Sequence, residues 1–415
     1  MKPTDIRDPE YFHKVVDCQY ACPAHTPVPE YIRLIAQERY DDAYMVNWES
    51  NVFPGILGRT CDRPCEPACR RGRVEEEPVA ICRLKRVAAD NKDSIIDRLP
   101  KIPKRKNGKK IALIGGGPAS LTVARDLAPL GYQLDLYDDQ PAGGGFMRSQ
   151  IPSFRLPPTV LDEEVDYILE MGITTHFETY VDSLKGVLNK GYDAVFVGTG
   201  APRGSDLELP GRAECEKHIH VGIEWLGSVA FEHIHKIGKR VLVLGGGNTA
   251  MDCCRTARRL GGEDVKVVVR SEFAKMKASP WEIEDAQAED IPIINNHVPK
   301  AFTHEDGKLL GMTFDQVEVV YDATGKRSLV PTGEEVFFEA DEVLIAIGQD
   351  NAFPWIERDL GIEFGKWDMP SVDTQTFQSS NPKVFFGGDA AFGPENIITA
   401  VAHGHQAAVS IDLFL

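Results

Sequence analysis

The chain has 415 residues, 42% of them apolar and 26% charged, with a formal net charge of −17. This length suits two or three globular domains, each with its own core, and the negative charge excludes nucleic acid as a partner. No stretch has the uninterrupted apolar length of a membrane span, and the opening MKPTDIRDPEYF lacks the apolar core of a secretion signal, so a cytoplasmic location is expected.

Of the nine cysteines, Cys18, Cys22, Cys61, Cys65, Cys69 and Cys82 crowd the first hundred residues, and Cys215, Cys253 and Cys254 are scattered later. In a reducing compartment such a cluster reads as ligands or buried thiols rather than a disulfide framework. The same region shows apolar residues at helical spacing, as in VPEYIRLIAQERYDDAYMV, and no strand pattern, so short helices around the cysteines are predicted. Pro100, Pro103 and the run KIPKRKNGKK then mark a boundary and a solvated linker.

From Lys110 the texture changes to apolar strands followed by glycine clusters. IALIGGGPAS at 111–120 and VLVLGGGNTA at 241–250 repeat one another, each predicting a strand, a tight turn and a helix start. This is an internal repeat of two dinucleotide-binding units. Glycines at Gly115 and Gly117 let a pyrophosphate approach donors at a helix N-terminus. Ser120 takes the position where a small residue lets helix and strand pack. Asp138, about twenty residues on, is placed for a ribose hydroxyl. Gly245 and Gly247 repeat the logic, with Asn248, Thr249 and Ala250 opening the helix. The strand after that helix ends at Arg270-Ser271-Glu272 rather than at a plain carboxylate. Arg270 there suits an adenine face or a 2′-phosphate, and equally a strand cap. Gly387-Gly388-Asp389 follows the strand KVFF and precedes a helix predicted from Asn396. A carboxylate so placed suits ribityl hydroxyls, and a helix N-terminus suits the electron-rich edge of a flavin.

Together these motifs resemble the small subunit of glutamate synthase and its relatives, which include the N-terminal half of dihydropyrimidine dehydrogenase. The resemblance is carried by Gly58-Arg59-Thr60-Cys61, Cys82-Arg83-Leu84-Lys85-Arg86, GGGPAS, GGGF, IPSFRLP at 151–157, GGGNTAMD, AIGQ at 346–349 and GGDAAFGPENIITAVAHG. It implies an α/β protein with a helical iron–sulfur domain (1–104), an FAD domain in two parts (105–210 and 341–415) and an NAD(P) domain between them (211–340). It also implies FAD contacts at Gly115, Gly117, Pro118, Ala119, Ser120, Asp138 and Asp139, and at Gly144 and Gly145. Thr199, Gly200, Gly348, Gly388, Asp389, Asn396, Ile397 and Ile398 complete that set. Arg155 is a candidate flavin contact, and equally an ordinary surface arginine.

Relatives carry two clusters, with a Cys-x-x-Cys pair upstream of the position of Cys18, and here that pair is missing. One [4Fe–4S] cluster is therefore expected, on Cys22, Cys61, Cys65 and Cys82, with Cys18 and Cys69 left as unligated thiols. Cys253 and Cys254 lack the Cys-x-x-Cys spacing of a redox disulfide and read as buried small residues.

The resemblance implies hydride exchange between a nicotinamide and a flavin, coupled to single-electron transfer through the cluster to a protein redox partner or a ferredoxin-like protein. Deletion of the helical region is expected to leave a flavoprotein. NAD(H) is expected over NADP(H): NADP-using relatives end the second strand in Tyr-Arg-Arg, and here Val269-Arg270-Ser271 is followed by Glu272. Lys275 and Lys277 are the residues able to restore the lost charge. Three readings compete. One is a coupling subunit in a hetero-oligomer with a metal-cofactor aldehyde or acid oxidoreductase. The others are the glutamate synthase subunit itself and a non-catalytic flavin scaffold.

Overall fold

A computed structural model describes residues 16–321 and 327–415. The chain forms two compact units, the first comprising residues up to 147, 153–201 and 351–415, the second 148–152 and 202–350.

Among the described residues the first unit opens with five helices: α1 Asp17–Ala21, α2 Val28–Ile35, α3 Tyr40–Asn51, α4 Pro54–Thr60 and α5 Ile81–Asn91. The amphipathic spacing explains them. α2 buries Val28, Tyr31 and Leu34, and α5 buries Ile81, Cys82, Lys85 and Ala88, each set on one face. Prolines start α2 and α4 at positions where no backbone donor is lost. α4 passes close to α5 because residue 58 is glycine; a Cβ there would lie 2.7 Å from Arg86 N.

β1 Lys110–Ile114, α6 Pro118–Leu127, β2 Gln133–Tyr137, α7 Pro158–Leu169, β3 Thr174–His176 and β4 Ala194–Val197 follow. The strands are parallel, and β1 and β4 bury nearly every residue, as a sheet covered on both faces requires.

The second unit repeats the plan. β5 Ile219–Val221, α8 Gly222–Ala230, β6 Arg240–Leu244, α9 Asn248–Arg259, β7 Asp264–Val269, α10 Pro280–Ala288 and β8 Ile293–Asn295 lead into three long strands. These are β9 His297–Glu305, β10 Lys308–Tyr321 and β11 Arg327–Glu339, an antiparallel sheet in that order. β12 Glu342–Ile345 then returns to the parallel sheet, whose order is β5-β12-β6-β7-β8. The unit runs to Asp350, past the boundary expected at 340, because β12 pairs with β5 and β6.

β13 Val384–Phe386 and α11 Ile397–Phe414 rejoin the first unit, giving the sheet order β13-β4-β1-β2-β3. Tyr137, Val195, Phe353 and Phe386 fill the core on one face of that sheet. No helix among the described residues is long and apolar enough to cross a membrane.

Candidate cofactor sites

The first glycine turn is set by backbone demands. Gly115 has φ +91°, and a Cβ there would meet Gly198 O at 2.6 Å. Gly117 caps α6, whose first residues are Pro118, Ala119 and the buried Ser120. The loop at 143–145 folds onto this turn. Gly144 N donates to Gly116 O at 2.8 Å, and Gly145, at φ +52°, would place a Cβ 2.8 Å from Gly117 Cα. Asp138 accepts from Gly116 N with one oxygen and from Gln140 N, at 2.8 Å, with the other. Burial pushes its carboxyl up to about 6, against the pull of those two amides. Asp139 beside it is exposed.

Of the rest of the predicted flavin set, Thr199 and Gly200 follow β4 and Gly388 and Asp389 follow β13, two paired strands of the same sheet. Gly388, at φ +60°, lies against α6, with its Cβ position 3.3 Å from that of Ala119. Asp389 accepts from Glu395 N at 3.0 Å, and burial pushes it up to about 6. Asn396 caps α11 through Thr399 N at 3.0 Å, which sets half-buried Ile397 and buried Ile398 in the first turn. Gly200, at φ +69°, turns the chain after β4. Thr199 Oγ1 and Ser120 Oγ are buried with no hydrogen-bond partner among the described residues. Buried hydroxyls left unpaired beside glycine turns fit a bound polar ligand such as FAD. Arg155 is half-buried and engaged in the loop before α7.

In the second unit Gly245 has φ +138°, and a Cβ there would lie 2.1 Å from Ala346 O. Gly247, which caps α9, faces open space, as a turn approached by a pyrophosphate requires. Asn248 Oδ1 accepts from Ser279 N at 2.8 Å, tying the helix start to that of α10; Thr249 and Ala250 complete the turn. At the end of β7, Arg270 is exposed and Ser271 half-buried. Glu272 accepts from Tyr321 Oη at 3.2 Å. The amides of Lys277 and Ala278 both donate to Gly246 O at 2.9 Å, so the segment carrying Lys275 and Lys277 folds back onto the glycine turn. Gly348, at φ +146°, belongs to this unit, beside Ser205.

In the helical region Cys22, Cys61, Cys65 and Cys82 are 5%, 6%, 5% and 1% exposed, so all four thiols are withdrawn from water together. The thiol of Cys61 donates toward Cys82 and that of Cys82 toward Cys65. The hydrogen bond to Cys82 and burial raise Cys61 well above its ordinary range; for Cys82 the bond from Cys61 lowers the thiol, but the bond to Cys65 and burial bring it up to about 12. Cysteine ligates as the thiolate, so four thiols buried together need a positively charged occupant to become ligands. No three Cys, His, Asp or Glu among the described residues converge tightly enough for a single metal ion. A cubane takes one thiolate at each of four iron corners, and the four buried cysteines match that number.

Lys85, 3% exposed, stands among these thiols; burial lowers its ammonium but Cys82, Cys61, Cys22 and Cys65 raise it more. Its role was not read from the sequence, although the motif around Cys82 contains it. Cys18 and Cys69 are half-exposed, and their segments are joined by Arg70 bonded to Asp17 at 3.0 Å. Cys253 and Cys254 are fully buried in the core of the second unit.

A four-thiol helical region ahead of two glycine-turn nucleotide units defines a nucleotide-coupled redox flavoprotein. Residues 109–404 match the pyridine nucleotide-disulphide oxidoreductase family, and residues 13–95 match dihydropyrimidine dehydrogenase domain II, 4Fe–4S cluster. The beta subunit of the NADP(+)-dependent formate dehydrogenase of Moorella thermoacetica is 37% identical over 424 residues, covering 96% of this chain and 60% of that protein. The NADPH glutamate synthase small chain of Azospirillum brasilense is 31% identical over 420 residues, covering 96% of this chain and 86% of that one. FprA from Mycobacterium tuberculosis shares the fold at a TM-score of 0.62 and 17% identity, over 74% of this chain and 84% of its own. The chain belongs to the pyridine nucleotide-disulphide oxidoreductase family, in the branch that carries a 4Fe–4S domain and includes the glutamate synthase small chain. It spans about three fifths of the length of the formate dehydrogenase subunit.

Proposed function

We propose that the chain is the NAD(P)-coupling subunit of a larger cytoplasmic redox complex, carrying one FAD and one [4Fe–4S] cluster. The observation that carries this reading is the presence, in one chain, of two glycine-turn units and a buried set of four thiols. FAD would supply hydride exchange with a nicotinamide and release of electrons one at a time. The chain's own residues bind and orient. Gly115, Gly117, Gly144 and Gly145 would admit the pyrophosphate, Asp138 and Asp389 would accept from hydroxyls, and the N-terminus of α11 would stabilise negative charge on the flavin. Cys22, Cys61, Cys65 and Cys82 would hold the cluster. All nine cysteines are unbridged, in keeping with a reducing compartment. Iron, acid-labile sulfide and flavin analysis after anaerobic purification should give about four irons per FAD, as the cubane requires. Twice that iron would overturn the reading and mean a second cluster with ligands from outside these four cysteines.

The nucleotide reading favours NAD(H). One guanidinium, Arg270, stands where two would clamp a 2′-phosphate, with Glu272 held close by Tyr321. The relatives described above use NADP by name, so the distinction rests on Ser271 and Glu272. One lost charge-assisted contact is worth about 1.5–3 kcal/mol, roughly ten- to a hundredfold in affinity. Steady-state kinetics should show a lower KM for NADH, and Ser271→Arg should move the preference toward NADPH. Equal use of both nucleotides by the wild type would place the missing contact on Lys275 or Lys277.

The partner fits an oxidoreductase acting on a small acid or aldehyde, as the name of the formate dehydrogenase relative suggests. Coverage of 86% of the glutamate synthase small chain favours a second reading, in which the partner is a glutamate-forming subunit. Co-purification from native extract separates the two. Dye reduction by NAD(P)H excludes a mere flavin scaffold.

A further inference from the structure

α7 is amphipathic, and its buried face carries a carboxylate among apolar residues: Glu164 is 1% exposed beside Leu161, Val165 and Ile168. A buried charge needs dedicated partners. Glu164 Oε1 accepts from Gly55 N at 2.6 Å and from Tyr44 Oη at 2.8 Å, and Oε2 accepts from Ile56 N at 3.0 Å. Gly55 and Ile56 are in the first turn of α4, where backbone donors have no partner within the helix. The fit leaves no slack, since a Cβ on residue 55 would lie 3.0 Å from Oε1. The other end of α4 is capped by Cys61. The start of α7 directly follows the 151–157 stretch assigned to the flavin.

We propose that Glu164 is a positioning residue for electron transfer: it fastens the helix that delivers Cys61 to the helix that follows the flavin stretch. The proposal rests on the assignment of flavin and cluster above. Its contacts join segments more than a hundred residues apart in sequence, and they do so at the start of a helix that ends on a candidate ligand. Burial pushes the carboxyl up to about 7, and the amides of Ile56 and Gly55 and the Tyr44 hydroxyl pull it back. The surrounding charges are held on their own terms. Lys92 pairs with Glu163 at 2.6 Å and lies over the rings of Tyr44 and Tyr167. Tyr167 donates to Glu163 rather than to Glu164.

Glu164→Gln keeps the shape and the acceptor that serves Gly55 and Tyr44, but turns Oε2 into a donor facing Ile56 N–H. Amide exchange at residues 55–56 should rise about tenfold or more, the size expected for one lost charge-assisted bond. Stopped-flow absorbance should show slower cluster reduction by the reduced flavin, with flavin reduction by NAD(P)H unchanged. The cluster's midpoint potential should shift as Cys61 relaxes. Tyr44→Phe leaves both amide bonds in place and should keep exchange at 55–56 near the wild-type rate. Unchanged exchange and unchanged cluster reduction in Glu164→Gln would overturn the proposal. So would an equal rise in Tyr44→Phe, which would mark general loosening. A wild-type protein without iron would instead overturn the cofactor assignment, while exchange at 55–56 would still decide whether Glu164 fastens α4.

Discussion

Asp138 shows how one carboxylate responds to the glycine turn it supports. It is 8% exposed, and burial raises it from an ordinary 3.8 to about 6 although Gln140 N and Gly116 N both donate to it. A carboxyl whose pKa is higher in the folded than in the unfolded chain favours folding most when protonated in both states. That contribution is complete below about 3.8 and is lost as pH rises through 6. The flavin-free protein should therefore lose stability between these values, by roughly 2–3 kcal/mol for this residue. Asp138→Asn should flatten that part of the curve, read as the difference between variant and wild type in urea midpoints across pH. A ribose hydroxyl donating to the ionised oxygen lowers the pKa, so adding FAD should flatten the wild-type curve too.

At the scale of elements, the site depends on how closely α11 crosses α6. Residue 404 is glycine in the middle of α11; a Cβ there would lie 2.6 Å from Thr122 Cβ and 2.7 Å from Ala119 O. Neither neighbour is the free end of a flexible side chain, so Gly404→Ala has to push the helices apart. Overpacking of this kind costs about 1–3 kcal/mol. Because Ala119 adjoins the glycine turn, the variant should also release FAD faster, measured by the recovery of flavin fluorescence on dilution. Elements of this kind were legible in the sequence where chemistry forces a residue type. The turns at Gly115 and Gly245 were readable because only glycine tolerates their backbone and close approach. Asn396 was readable because a short polar side chain caps a helix. The antiparallel sheet of β9, β10 and β11 was not read: β11 is exposed over most of its length, so it lacks the alternation that marks a half-buried strand. Glu164 was hidden for a related reason. In LDEEVDYIL it is one acidic residue among several on a helix, and only the fold shows that its donors come from Gly55, Ile56 and Tyr44.

At the scale of the whole molecule, the linker at 101–110 suggested a helical region separable from the flavin-binding part, and the structure joins the two. Residues up to 147 fall in one compact unit with 153–201 and 351–415. The join is made at several independent points. Arg125 on α6 stacks over the Trp48 ring at 4.1 Å and donates to Trp48 O. His405 on α11 bonds both Asp126 and the carbonyl of Ser50, at 3.0 Å for the latter. Lys92 pairs with Glu163, and Glu164 takes the start of α4. Deleting residues 1–100 would strip all of these at once and leave Glu164 without its donors beside a newly exposed apolar face. Removing the partners of one buried charge alone costs about 3–5 kcal/mol, a large part of the 5–15 kcal/mol that holds a typical domain together. The truncated chain should therefore lose FAD during gel filtration and unfold at a lower temperature than the parent, instead of persisting as a dye-reducing flavoprotein. A truncation that kept one FAD per chain and full dye reduction would show that these contacts position the helical region without supporting the nucleotide fold.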